Sequence, residues 1–213
     1  MNNLDIREIA KAQDKLQEIT IGKDWKSVNN DYPLASSVEM VEAIDSLGYK
    51  WWKKQKIDLE NVKVEFIDSL HFTMCAILQL NPSDTSYDFI NEWIKENMNN
   101  KECDVTKQEL IDTCKGVIKH SLDGDLLSTI LSILIGLDML GLTQRDITEL
   151  YIGKCALNAF RQLNGYKDGT YIKVWKNGKE DNVYMQRIVK ELDVVTYDKV
   201  LEKLKDEYKE YAI

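Results

Sequence analysis

Two pairs of carboxylates stand where helices should be apolar. Glu39 and Glu42 lie three residues apart in SVEMVEAIDSLGYKWWKK, and Glu65 and Asp68 repeat that spacing in NVKVEFIDSLHFTMCAIL. Residues at i and i+3 share one helix face. The neighbours Val38, Met40, Val41, Ala43 and Ile44 in the first stretch, and Val62, Val64, Phe66, Ile67, Leu70 and Phe72 in the second, are apolar on nearly every side. A helix apolar all round is normally buried, and ionised carboxylates there are costly unless cations or metals pair with them. Four carboxylates on two adjacent helices repel one another, and hard divalent cations resolve that repulsion. Mg²⁺ prefers oxygen ligands and shares them with substrate phosphates, whereas zinc wants His or Cys. One ExxE is commonplace in a chain with 36 acidic residues. Two acidic pairs in apolar helices, joined by one short connection, are more specific. His71, alone on an apolar face, reads by itself as a hydrogen-bonded core residue.

A second group is basic and amide-rich. Lys154, Asn158 and Arg161 recur at i, i+4 and i+7 in YIGKCALNAFRQLNGYKDG, so they line one helix face. Lys167 and Lys173 follow in GYKDGTYIKVWKNGKEDN, residues 165–182, which is Gly-rich, basic and aromatic with no helical period. Arg offers a planar fork for phosphate oxygens, Lys a point charge, and an Asn amide both donates and accepts, as reading a base edge requires. The competing interpretation is a solvated basic face. Of Trp51 and Trp52, one ring is expected in the core and the other as a stacking surface. An acidic metal site together with a basic phosphate clamp suggests metal-assisted hydrolysis of a phosphoanhydride.

Composition bounds these expectations. The chain has 213 residues, 44% of them hydrophobic, enough for one substantial core. Only 2 Pro and 10 Gly argue against disorder and against a turn-dense β-sandwich. A net charge of −8 makes the chain a poor binder of nucleic acid. The four cysteines, Cys75, Cys103, Cys114 and Cys155, include no CxxC pair, which suggests reduced thiols and a cytoplasmic setting. The opening MNNLDIREIAKAQ shows no signal peptide. The most apolar run, from Leu126 to Leu142, carries Asp138 and reads as a core or interface helix rather than a membrane span.

The elements that must position these residues are helical almost throughout, so the fold class is all-α. A first amphipathic helix ends near Gly22. Ser36 or Ser37 is expected to cap a second that runs to about Lys54. Asp58 starts a third, stopped by Pro82. Further helices are expected from Ser83 or Asp84 to Met98, from Val105 to His120, from Asp125 to Leu140, and from Thr143 to Asn164. Residues 165–182 should form a ligand-ordered loop with little to hold it in the absence of substrate, and Val183–Leu192 and Tyr197–Tyr208 complete the bundle. The expected organisation is one domain, 1–213, with a helical insert at about 83–140 that carries no motif.

The sequence resembles the dimeric all-α dUTPases of the MazG-like nucleotide pyrophosphatase superfamily. The resemblance is carried by Glu39/Glu42, by Glu65/Asp68, by AIDSLGYKWWK, by EFIDSLHF, and most strongly by Tyr151 to Asn182. It implies a homodimer that hydrolyses dUTP, and dUDP, with two or three Mg²⁺ per active site, and no nucleic-acid or membrane partner. It assigns metal and catalytic roles to Glu39, Glu42, Glu65 and Asp68, with one glutamate, such as Glu39, orienting the water. Phosphates fall to Lys154, Arg161, Lys173 and Asn182. Base and sugar fall to Gln13, Gln17, Trp51, His71, Phe72, Asn158 and Tyr166. The chain departs from the family pattern at Gln17 and Ile21-Gly22, where Asn and Asn-Gly are usual, and at Cys155, where Asn is usual. The first two departures bear on the base pocket. They keep open dCTP or another modified pyrimidine deoxynucleotide as substrate. A non-catalytic nucleotide-binding regulator is a further alternative.

Overall fold

The computed structural model describes residues 4–98 and 104–211; Cys103 lies outside them. Within the described residues the elements are α-helices: α1 (Ile6–Thr20), α2 (Tyr32–Ser46), α3 (Leu59–Gln79), α4 (Asp84–Asn97), α5 (Lys107–Leu122), α6 (Leu126–Met139), α7 (Gln144–Leu163), α8 (Asp181–Glu191) and α9 (Tyr197–Tyr211). A single 3₁₀ turn, Trp25–Ser27, follows α1. The pairing Val174↔Glu180 is an isolated β-bridge.

Local chemistry accounts for most helix ends. Asp58 caps α3 by accepting from the Asn61 N–H at 3.1 Å, and Asp125 caps α6 by accepting from Ser128 at 3.1 Å. Thr106 and Glu109 form a reciprocal capping box on α5. The second helix departs from expectation at both ends. Its cap is Asp31, which accepts from the Leu34 N–H at 3.0 Å, with Pro33 in the first turn. Proline is tolerated there because its missing N–H is one the helix leaves unused. Ser36 and Ser37 therefore sit inside α2. The helix also stops at Ser46 instead of reaching Lys54, because Gly48 takes a left-handed φ of +67° that favours glycine. The connection to α3 is stitched by Gln55. Its amide accepts from the Lys50 N–H at 2.9 Å and donates to the Asp45 carboxylate at 3.0 Å.

By contacts the chain divides into two compact units, Met1–Asp14 with Lys26–Ile147, and Lys15–Trp25 with Thr148–Ile213. Helices α1 and α7 each cross the division. In the first unit α2 packs on α3 and α5, and α6 packs on α3 and α5. The segment without motifs thus supplies α5 and α6, the helices against which α2 and α3 stand. Ile130, Ile133, Leu134 and Leu137 of α6 are fully buried, while Leu127 and Ile135 are exposed. Gly136 lets α6 approach α3: a Cβ there would lie 2.1 Å from Phe66 Cε1. Among the described residues no single helix is long and apolar enough to cross a membrane.

The second unit has its own core of Leu157, Phe160, Trp175, Met185, Ile188 and Leu204 with their neighbours. Segment 165–180 is better anchored than its composition suggests. Trp175 is buried, its backbone N–H donates to the Lys179 carbonyl at 2.9 Å, and Tyr171 stacks on Tyr208 of α9 at 5.4 Å between ring centres. Asp181 and Asn182 lie outside the loop, in the first turn of α8.

Candidate active-site residues

In the first unit the side-by-side packing of α2 and α3 brings their acidic faces together. Met40 and Ala43 on α2, with Val62, Phe66 and Ser69 on α3, are buried. One turn before Glu39, the Ser36 hydroxyl lies 2.7 Å from the Ser69 hydroxyl and 3.0 Å from that of Thr73, which ties the two helices. Glu39, Glu42 and Glu65 then each offer a carboxylate oxygen within 4.8 Å of the others. Burial is graded across the three: Glu65 is buried, Glu39 partly buried, Glu42 exposed. Glu65 is oriented by Asn61, whose amide donates to it at 2.8 Å and to the Ser46 hydroxyl at 2.9 Å. Asp68 is partly buried on the same helix.

Burial, then the charge of Asp68, then that of Glu65, push the Glu39 carboxyl up to about 8. Carboxylates this close disfavour one another's charge, and a divalent cation among them removes the cause. The donor set is oxygen only, which fits a hard ion such as Mg²⁺ and not zinc.

The residues that the resemblance assigns to base and sugar differ in setting. Gln13 and His71 are both buried and bonded to one another, with His71 Nδ1 2.6 Å from Gln13 Oε1. The Gln13 amide donates in turn to Cys75 Sγ at 3.0 Å. Gln17 lies one turn further along α1 and is partly buried, as is Phe72. Neither Trp51 nor Trp52 is a core residue. They are 90% and 58% exposed, edge to face at 5.5 Å, so the expectation that one ring is buried does not hold. The early end of α2 is the reason: both rings stand on a loop instead of a helix face.

In the second unit the face of α7 that bears Lys154, Asn158 and Arg161 is not a solvated one. Lys154 and Arg161 are buried and Asn158 partly so. Lys154 Nζ donates to Asn182 Oδ1 at 2.8 Å, and Arg161 Nη1 to Asn158 Oδ1 at 3.4 Å. The Arg161 guanidinium sits 5.7 Å from the centre of the Tyr166 ring. These four assigned residues, Lys154, Asn158, Arg161 and Asn182, converge. Lys173 is exposed and paired with Glu180 at 3.1 Å. Lys167 donates to the carbonyl of Thr20 at the end of α1. Sequence reasoning missed Asp181, fully buried against Arg161. Its only local signal was its place beside Asn182, where an aspartate at a helix start reads as a cap.

A wholly helical fold carrying an oxygen-only carboxylate cluster fits a metal-dependent helical hydrolase. A family model described as dUTPase matches residues 5–166, and the chain belongs to this all-α dUTPase family. Its activity is accordingly that of a dUTP diphosphatase, the hydrolysis of dUTP. No curated protein matches the chain. The matched stretch contains the four carboxylates and Lys154, Asn158 and Arg161, while Lys173 and Asn182 lie beyond it.

Proposed function

We propose that this chain hydrolyses dUTP to dUMP and pyrophosphate, and dUDP to dUMP and phosphate, in a Mg²⁺-dependent reaction. The observation that carries the reading is the clustering of Glu39, Glu42 and Glu65 within 4.8 Å. Glu39, Glu42, Glu65 and Asp68 hold two or three ions. When bound there, Mg²⁺ would supply charge neutralisation for the polyphosphate and would make a bound water more acidic. Water adds at phosphorus and gives up its proton to solvent, the bond to the bridging α–β oxygen breaks, and the displaced group leaves as pyrophosphate or phosphate. Glu39 orients that water, a role supported by its position under the influence of the other three carboxylates. Asn61 keeps the Glu65 carboxylate in one orientation.

Lys154, Arg161, Lys173 and Asn182 bind phosphate oxygens. The convergence of three of them through Asn182 supports this. Gln13, Gln17, Trp51, His71, Phe72, Asn158 and Tyr166 bind base and sugar. The active form is a homodimer, a reading supported by the exposed apolar stripe Leu34, Val38 and Val41 on α2 and by Leu127 and Ile135 on α6. The three described cysteines are buried and form no disulfide with one another, which suits a cytoplasmic setting.

The test is pyrophosphate release from dUTP, dCTP, dTTP and dATP, and phosphate release from dUDP, with and without Mg²⁺. Release from dUTP that needs Mg²⁺ is expected. Metal-independent release, or dCTP as the better substrate, overturns the reading. Light scattering that shows a monomer at micromolar concentration removes the dimer.

A further inference from the structure

Asp181 is fully buried in the first turn of α8. A buried carboxylate is tolerated only when its oxygens are paired. Arg161 Nε donates to Oδ2 at 2.8 Å and Arg161 Nη2 to Oδ1 at 2.7 Å, a fork-on-fork pair. The Tyr171 hydroxyl donates to Oδ2 at 2.9 Å. The backbone N–H of Asp181 donates to the carbonyl of Lys173 at 3.0 Å. The next side chain, Asn182, accepts from Lys154 Nζ at 2.8 Å and from Arg161 Nη2 at 3.4 Å. The Asp181–Asn182 dipeptide therefore holds both buried cations of α7 and the backbone of Lys173. Burial and the adjoining Asp181 charge push the Tyr171 phenol up, so it stays a donor.

We propose that Asp181 is a positioning residue for phosphate recognition: it locks the Arg161 guanidinium plane in one orientation beside Lys154, Asn158 and Asn182, with Tyr171 steadying the carboxylate. This rests on the reading that Arg161 binds phosphate. An arginine near a helix end has many rotamers, and choosing one on binding costs affinity. The bidentate carboxylate makes that choice beforehand, at the expense of one of the two positive charges that Lys154 and Arg161 bring. Only a guanidinium can take both oxygens this way.

The experiment is dUTP kinetics on D181N, Y171F and R161K, and on D181N and Y171F each in the R161K background. D181N is expected to raise KM about tenfold while kcat changes less than about threefold, since a charged hydrogen-bonded pair is lost from a binding group. Y171F, which keeps the charge, should raise KM less. Both effects should largely vanish in R161K, where there is no fork to orient. A purely structural Asp181 would lower Tm and leave KM unchanged at temperatures below unfolding. It would act equally in both backgrounds. Either result overturns the proposal. If D181N does not fold, the Y171F cycle decides in the same way. An unchanged KM in R161K removes Arg161 from the phosphates and this proposal with it. A raised KM in R161K with an unchanged KM in D181N overturns the positioning role alone.

Discussion

Glu39 on α2 and Glu65 on α3 belong to different helices, yet they present carboxylate oxygens within 4.8 Å of one another. Glu65 is anchored by Asn61 at 2.8 Å and buried, so it cannot turn away. The helix pair that creates this proximity is held by the Ser36–Ser69 hydroxyl contact at 2.7 Å and by apolar packing. Packing thus holds together carboxyls that resist being ionised together, and Glu39 keeps its proton up to about pH 8.

Metal-free stability should fall as pH rises from 4.5 to about 8. Glu39 titrates near 4.5 when unfolded and near 8 when folded. Below 4.5 it is protonated in both states. Through the window the unfolded chain has released its proton while the folded one retains it, so rising pH favours unfolding, and the cost is complete above about 8. Thermal unfolding in chelator across that range should show Tm falling for the wild type and a flatter profile for Glu39→Gln. Added Mg²⁺ should restore stability most at the alkaline end. A wild-type profile that rises with pH and matches that of Glu39→Gln refutes the assignment.

Glu42→Gln should stop hydrolysis and spare the fold. The side chain is exposed, so the change in stability is expected within about 0.5 kcal/mol. Loss of one ligand should cost turnover at least on the order of a hundredfold, about 2.7 kcal/mol of barrier. Near-wild-type turnover at saturating Mg²⁺ would remove Glu42 from the site.

Gly136→Ala should destabilise the first unit. The added methyl would meet Phe66 Cε1 at 2.1 Å, and Phe66 is buried beside Glu65. Overpacking of this kind costs about 1–3 kcal/mol. Denaturant titration measures it. An unchanged midpoint would mean that α6 and α3 are not in close contact at this point.

Trp175→Ala should cost about 3–5 kcal/mol, because a fully buried indole leaves the core of the second unit. Hydrogen exchange without nucleotide should find the amides of Trp175 and Asp181 protected, since they donate to Lys179 at 2.9 Å and Lys173 at 3.0 Å. Rapid exchange at both would show that nucleotide, not Trp175, orders the segment.

Much of this is legible in the sequence. The caps at Asp58 and Asp125, the stop before Pro82 and the acidic pairs all follow from interactions within three or four residues along the chain. The errors share a cause as well. Ser36 and Ser37 read as caps because a hydroxyl there could satisfy a first-turn N–H, yet Asp31 caps the helix and Pro33 sits in its first turn, where proline is tolerated. One of Trp51 and Trp52 reads as a core ring because α2 is expected to run to about Lys54, but Gly48 ends it and both rings are exposed.

By itself the sequence determined the all-α class, nearly every helix, and which faces carry carboxylates and cations, because helix periodicity and capping are local and each residue reports on its near neighbours. The tertiary structure alone decided that Glu39 meets Glu65, that Gln13 bridges His71 and Cys75, and that Arg161 lies in the fork of Asp181. Burial and pairing at those places join residues 20 or more positions apart. Whether a charge is solvated, opposed or neutralised depends on what packing brings beside it, and no spacing along the chain records that.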